Sequence, residues 1–107
     1  SCNISPGNFL MFNRIFDENK INQNDSFEQN LEKLINLYKK NKNINLIKII
    51  LFLTDVYFYN LREKKIHNIE KIIEKKSFVV KNINNFITYN LNQNSVINAI
   101  NNKLLNG

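Results

Sequence analysis

Apolar residues recur along this chain at steps of three, four and seven, the spacing of one face of an α-helix, and not at the alternate positions of a half-buried strand. The densest stretch is residues 44–61, INLIKIILFLTDVYFYNL. A fully buried strand runs about 4–8 residues. This run is far longer and contains neither Gly nor Pro, so it reads as a helix. Its polar positions Asn45, Lys48, Asp55 and Arg62 fall on one narrow stripe, which Phe52 and Tyr59 share. A helix apolar over most of the remaining circumference belongs in a core. The run therefore predicts a buried central helix, with Ile50, Leu53 and Tyr57 inaccessible. Ile, Val and Tyr are mediocre helix formers, so packing has to hold it. A membrane span competes on length. Lys48 and Asp55 lie inside the run, and each would cost about 2.5–3.5 kcal/mol near a bilayer centre. No span is expected.

The flanking segments read as covering helices. Ser5-Pro6-Gly7-Asn8 is a turn signal, and Asn8 is placed to cap a short helix carrying Phe9, Phe12, Ile15 and Phe16 on one side. Residues 21–25 read as a loop. Ser26 with Gln29 fits a capping box, and Phe27, Leu31, Leu34, Ile35 and Tyr38 follow as an apolar stripe. Beyond the central run the phase changes near residues 60–65, where a break is expected and one continuous helix is the alternative. Ile66, Ile69, Ile72 and Ile73 start a new stripe. Ser77 is placed to cap another helix with Val79, Val80, Ile83, Phe86 and Ile87 inward and Leu91 near its end. Ser95 is placed to cap a last helix with Val96, Ile97, Ile100, Leu104 and Leu105 inward. The expected fold is all-α, an irregular or superhelical bundle of five to six helices around the central one. Residues 1–8 are expected to be disordered or extended, and 9–107 to form one helical domain. The chain opens Ser-Cys-Asn without an initiator Met and reads as a piece of a longer protein. The expected setting is intracellular, cytoplasmic or nuclear.

Charge adds one partner class. There are 15 Lys and Arg against 9 Asp and Glu in 107 residues, a net +6. A basic balance attracts nucleic acid or acidic membrane. Lys39, Lys40 and Lys42, with Lys64, Lys65 and Lys71, form the candidate basic patch. Only Arg14 and Arg62 offer a bidentate fork for phosphate. Asn, Lys, Ile, Phe and Tyr are also the residues of A- and T-rich codons, so a biased genome accounts for the same excess.

Candidate chemistry is sparse. His67 is the single His and has no nucleophile or orienting partner suggested beside it. Cys2 is the single Cys, which rules out an internal disulfide. Two glycines cannot build a phosphate cradle, and no metal-ligand spacing is present. Neither a catalytic residue nor a cofactor is expected. Asn3-Ile4-Ser5 and Asn24-Asp25-Ser26 match the glycosylation pattern at the frequency that abundant Asn produces by chance.

Phe52, Asp55, Tyr59, Asn60 and Arg62 form the candidate partner-binding set, because aromatics and Arg are the types enriched where proteins meet. Residues 52–60, FLTDVYFYN, resemble the helix motif of domains that bind the polymerase II C-terminal tail, in which an apolar pair, Asp, a mainly apolar stretch, a polar residue and Asn follow in order. Tyr59 stands where that family has Lys, and Thr54 where it has an apolar residue. The resemblance implies a groove for an extended peptide near Asp55 and Asn60. The leading expectation is a non-enzymatic helical domain that binds a protein or peptide. The alternative is a nucleic-acid-associated module using its lysines.

Overall fold

The computed structural model of the protein describes residues 6–22, 24–64 and 68–106. These form five α-helices and, among the described residues, no strand: α1 Pro6–Glu18, α2 Phe27–Asn41, α3 Ile44–Glu63, α4 Ile69–Tyr89 and α5 Gln93–Asn106. The all-helical architecture is the one the periodicity predicts. The chain divides into two compact units, residues 1–53 and 54–107, with the boundary inside α3. Cys2, Ser5, Lys65, Ile66, His67 and the Asn3-Ile4-Ser5 pattern lie outside the described residues, as does the Phe9 side chain.

Helix starts follow side-chain chemistry more than composition. Ser26 caps α2 through the full capping box: its Oγ accepts from the Gln29 N–H at 3.2 Å, and Gln29 Oε1 accepts from the Ser26 N–H at 3.1 Å. Asparagines open the next three helices. Asn43 Oδ1 accepts from the Asn45 N–H at 2.9 Å, and Asn68 Oδ1 from the Glu70 N–H at 2.8 Å. Asn92 Oδ1 accepts from the N–H groups of Asn94 at 2.9 Å and Ser95 at 3.1 Å. Asn ranks with Asp and Ser among the best N-caps, so the abundant Asn is structurally used.

Three of the expected caps are corrected. α1 begins at Pro6, so Asn8 lies within it. Proline suits a first helical position, where its missing N–H would be unbonded anyway. Ser77 lies within α4, which runs unbroken for 21 residues; with no Gly or Pro between Ile69 and Tyr89, nothing stops the backbone ladder. Ser95 lies inside α5, because Asn92 takes the capping role. The expected break after α3 is real: α3 ends at Glu63 and α4 begins at Ile69.

Unit 1 builds its core from Phe16, Leu31, Leu34, Ile35, Ile49 and Ile50, each at most 2% exposed. The Phe12 and Phe16 rings stack at 4.2 Å. Ile21, expected in a polar loop, is buried, and its N–H donates to the Phe16 carbonyl at 2.8 Å. Asn30 is a buried polar residue that the apolar pattern does not reveal. Its Nδ2 donates to the Asp25 carbonyl at 3.4 Å, while Oδ1 has no hydrogen-bond partner among the described residues.

Unit 2 buries Thr54, Phe58, Ile72, Val79, Ile83, Phe86, Val96, Ile97 and Ile100. α4 and α5 lie side by side, with Lys103 reaching Glu74 at 2.6 Å and Lys75 reaching the Leu104 carbonyl at 3.4 Å. Partner residues rise on α5 as they fall on α4 from the short Asn90–Asn92 turn, so the two run antiparallel.

α3 is less enclosed than its apolarity predicts. Leu46, Ile49, Ile50, Thr54 and Phe58 are buried, but Leu53 and Tyr57 are half-buried, not inaccessible. The core of α3 thus follows steps of three, four and eight along one face, and its other apolar positions stay at the margin. Among the described residues, α3 alone is long and apolar enough to cross a membrane, and 28% of its most apolar window is buried. Ile69, Ile73 and Leu105, expected to face inward, are exposed, as is Leu91.

Candidate functional site

The polar stripe of α3 faces outward. Lys48, Asp55, Tyr59 and Arg62 are exposed, while Asn45 and Phe52 are half-buried. The partner-binding set does not form one cluster. Phe52 belongs to unit 1, where its ring meets Phe12 edge-on at 5.3 Å. Asp55, Tyr59, Asn60 and Arg62 belong to unit 2. Asn60 follows Asp55 by five residues, which turns its side chain away by about 140° at 3.6 residues per turn. Asp55, Tyr59 and Arg62, at steps of four and three, share a face.

What completes that face comes from α4. Asp55 Oδ1 forms an ion pair with Lys76 Nζ at 3.0 Å. Tyr57 and Leu61, further along α3, share a crevice with Asn68, Lys71, Ile72 and Lys75 on α4. Partner numbers on α4 therefore fall as those on α3 rise, the pattern of an antiparallel hairpin. Lys76, Ile73 and Ile69 are themselves three and four apart, one face of α4. Tyr59 is 37% exposed, Ile69 49% and Ile73 60%. Beyond Lys76 the same side of α4 continues into an open hollow of about 540 Å³ lined by Lys76, Ser77, Val80, Lys81, Asn84 and Asn85.

Sequence reasoning missed Ile69 and Ile73 as surface residues. The signal was present in α4. Ile72, Val79, Ile83 and Phe86 make one apolar stripe, and Ile69, Ile73, Val80 and Ile87 make a second, rotated by roughly 60–100° on the helical wheel. Two stripes are more than one packing contact covers.

The six lysines of the candidate basic patch divide between the units. Lys39, Lys40 and Lys42 close α2 in unit 1. The Lys42 N–H donates to the Tyr38 carbonyl at 2.7 Å from a left-handed backbone (φ 54°), and its Nζ lies 5.2 Å from the Tyr38 ring centroid. These lysines complement the negative end of the α2 dipole. Lys64 and Lys71 are exposed in unit 2. The surroundings clearly move the titration of Glu74. The hydrogen bond and charge of Lys103 hold its carboxyl below the usual glutamate range, and Lys71 and Lys75 add smaller pulls in the same direction.

Among the described residues, no group of three His, Cys, Asp or Glu side chains is placed to hold a metal ion. Compared with known protein families, curated proteins and solved structures, the chain matches none.

Proposed function

We propose that this chain is a non-enzymatic helical module that binds another protein through the outward face of the α3–α4 hairpin in unit 2. The observation that carries the reading is the exposure of three large apolar side chains, Tyr59 on α3 and Ile69 and Ile73 on α4, on the two helices that the Asp55–Lys76 pair joins. Isolated exposed apolar residues are ordinary, but a row of them along two helices with polar edges is the usual form of a docking site. The strip runs along the helix axes, which suits an amphipathic helix laid against it with apolar anchors at i, i+3, i+4 and i+7.

Phe52→Ala disturbs the Phe12–Phe52 contact and so confounds stability with binding. Tyr59→Ser with Ile73→Ser is the cleaner change, because both side chains are exposed. Partners captured by the wild-type chain are to be purified and titrated against both forms by calorimetry. The expected result is at least a tenfold weaker Kd for the double variant at an unchanged melting temperature. Equal affinity for both forms overturns the reading. So does saturable binding of random RNA or DNA that weakens steeply between low and moderate salt, which would place the function in the lysines instead. Partition of the free chain into lipid vesicles in the absence of a partner would assign α3 to a membrane.

A further inference from the structure

Unit 2 holds a second feature, separate from the exposed strip and on the other side of α4. A crevice of about 90 Å³ opens where α3, α4 and α5 meet. Its walls are Tyr57 and Leu61 of α3, Asn68 before α4, Ile72 of α4 and Leu104 of α5, and two cations, Lys71 and Lys75, stand at it. Both lysines lie in the first two turns of α4, near the end where the helix dipole is positive. Lys75 Nζ spends one donor on the Leu104 carbonyl at a long 3.4 Å, and an ammonium has three. The neighbouring carboxylate, Glu74, is paired first with Lys103 at 2.6 Å, and the charges of Lys71 and Lys75 act on it more weakly. An apolar slot with two ammonium groups at one side matches a molecule with an anionic head and a short hydrocarbon tail.

We propose that this crevice is a binding site for a small aliphatic carboxylate of about four carbons. The carboxylate lies between Lys71 and Lys75, each donating a charge-assisted hydrogen bond. The tail lies against Leu61, Ile72 and Leu104. The crevice offers about 90 Å³, room for a tail of a few carbons. So small a ligand binds weakly, with Kd in the millimolar range.

The test is a titration of the ¹⁵N-labelled chain with sodium butyrate, followed by amide shifts, against sodium chloride at matched ionic strength and against neutral butyramide. Saturable shifts centred on Leu61, Lys71, Ile72 and Lys75, at least tenfold tighter for butyrate than for butyramide, are expected. Lys71→Gln with Lys75→Gln should weaken butyrate at least tenfold while leaving butyramide unchanged. Leu104→Trp, which fills the slot, should abolish both, with circular dichroism confirming that each variant is folded. Shifts that track chloride equally overturn the proposal, as do shifts spread over all the lysines. Equal affinity for butyramide also overturns it, because the lysines would then play no part.

Discussion

α2 and α4 are both amphipathic helices with well-defined caps, yet they use their apolar residues differently. In α2 the large apolar side chains Phe27, Leu31, Leu34 and Ile35 are buried, Leu37 and Tyr38 are half-buried, and the outer face is Glu, Lys and Asn. In α4 one apolar stripe is buried and the other surfaces at Ile69 and Ile73, with Tyr89 exposed at its end. The contrast shows that apolar periodicity reports where a helix is able to pack, and that a helix with more stripe than its neighbours cover carries the surplus to the surface. α2 leaves no large apolar side chain exposed, whereas α4 does, and that surplus is the reason to place a partner there.

The largest expected effect tests the covered stripes of both helices. Leu34→Ala in α2 and Ile83→Ala in α4 remove side chains that are at most 1% exposed and should each cost about 2–5 kcal/mol in denaturant unfolding. A much smaller cost in α4 alone would mean that its inner stripe is loose and that the two helices differ in packing quality as well as in surplus.

The caps come next. Ser26→Ala breaks the capping box of α2 and Asn68→Ala removes the side-chain acceptor of α4, each for about 1 kcal/mol. Thermal denaturation of the two variants should show comparable losses, since both helices depend on one side-chain oxygen at their start. Ile73→Ser belongs lower still. Its side chain is 60% exposed, so its stability should stay within about 0.5 kcal/mol of the wild type. A loss approaching that of Ile83→Ala would erase the distinction between the two α4 stripes and remove the proposed docking face.

The smallest effect is electrostatic. Glu74 has a lowered carboxyl pKa in the fold. Its contribution is therefore complete above the ordinary glutamate value of about 4.3 and disappears as pH falls through the lower folded value. The melting temperatures of wild type and Glu74→Gln should differ slightly near neutral pH and converge in acid. The exposed pair is screened by solvent and salt, so a large difference at neutral pH would show that it organises the α4–α5 contact beyond its charge.

Much of the local structure was legible from the residues alone. The Ser26–Gln29 box was readable because a capping box is a contact three residues apart. The Asn8, Ser77 and Ser95 caps were misplaced because cap-forming residues also occur inside helices, and the choice between Asn92 and Ser95 is settled by which side chain reaches the free N–H groups of the first turn. The outward stripe of α3 was readable from Lys48, Asp55 and Arg62, since charges find water. The buried Asn30 and the exposed Ile69 were not, because each runs against the hydropathy of its own side chain.

The sequence by itself determined the all-helical class, the α2 cap, the break after α3 and the polar side of α3, because all of these depend on side-chain periodicity and contacts a few residues apart. The tertiary structure alone decided which of the two apolar stripes of α4 enters the core. It also decided that Asp55 meets Lys76 and that Tyr57, Ile72 and Leu104 enclose a crevice. These depend on which helix lies beside which, and many segments of similar apolarity compete for that contact at nearly equal energy, so only the packed chain resolves it.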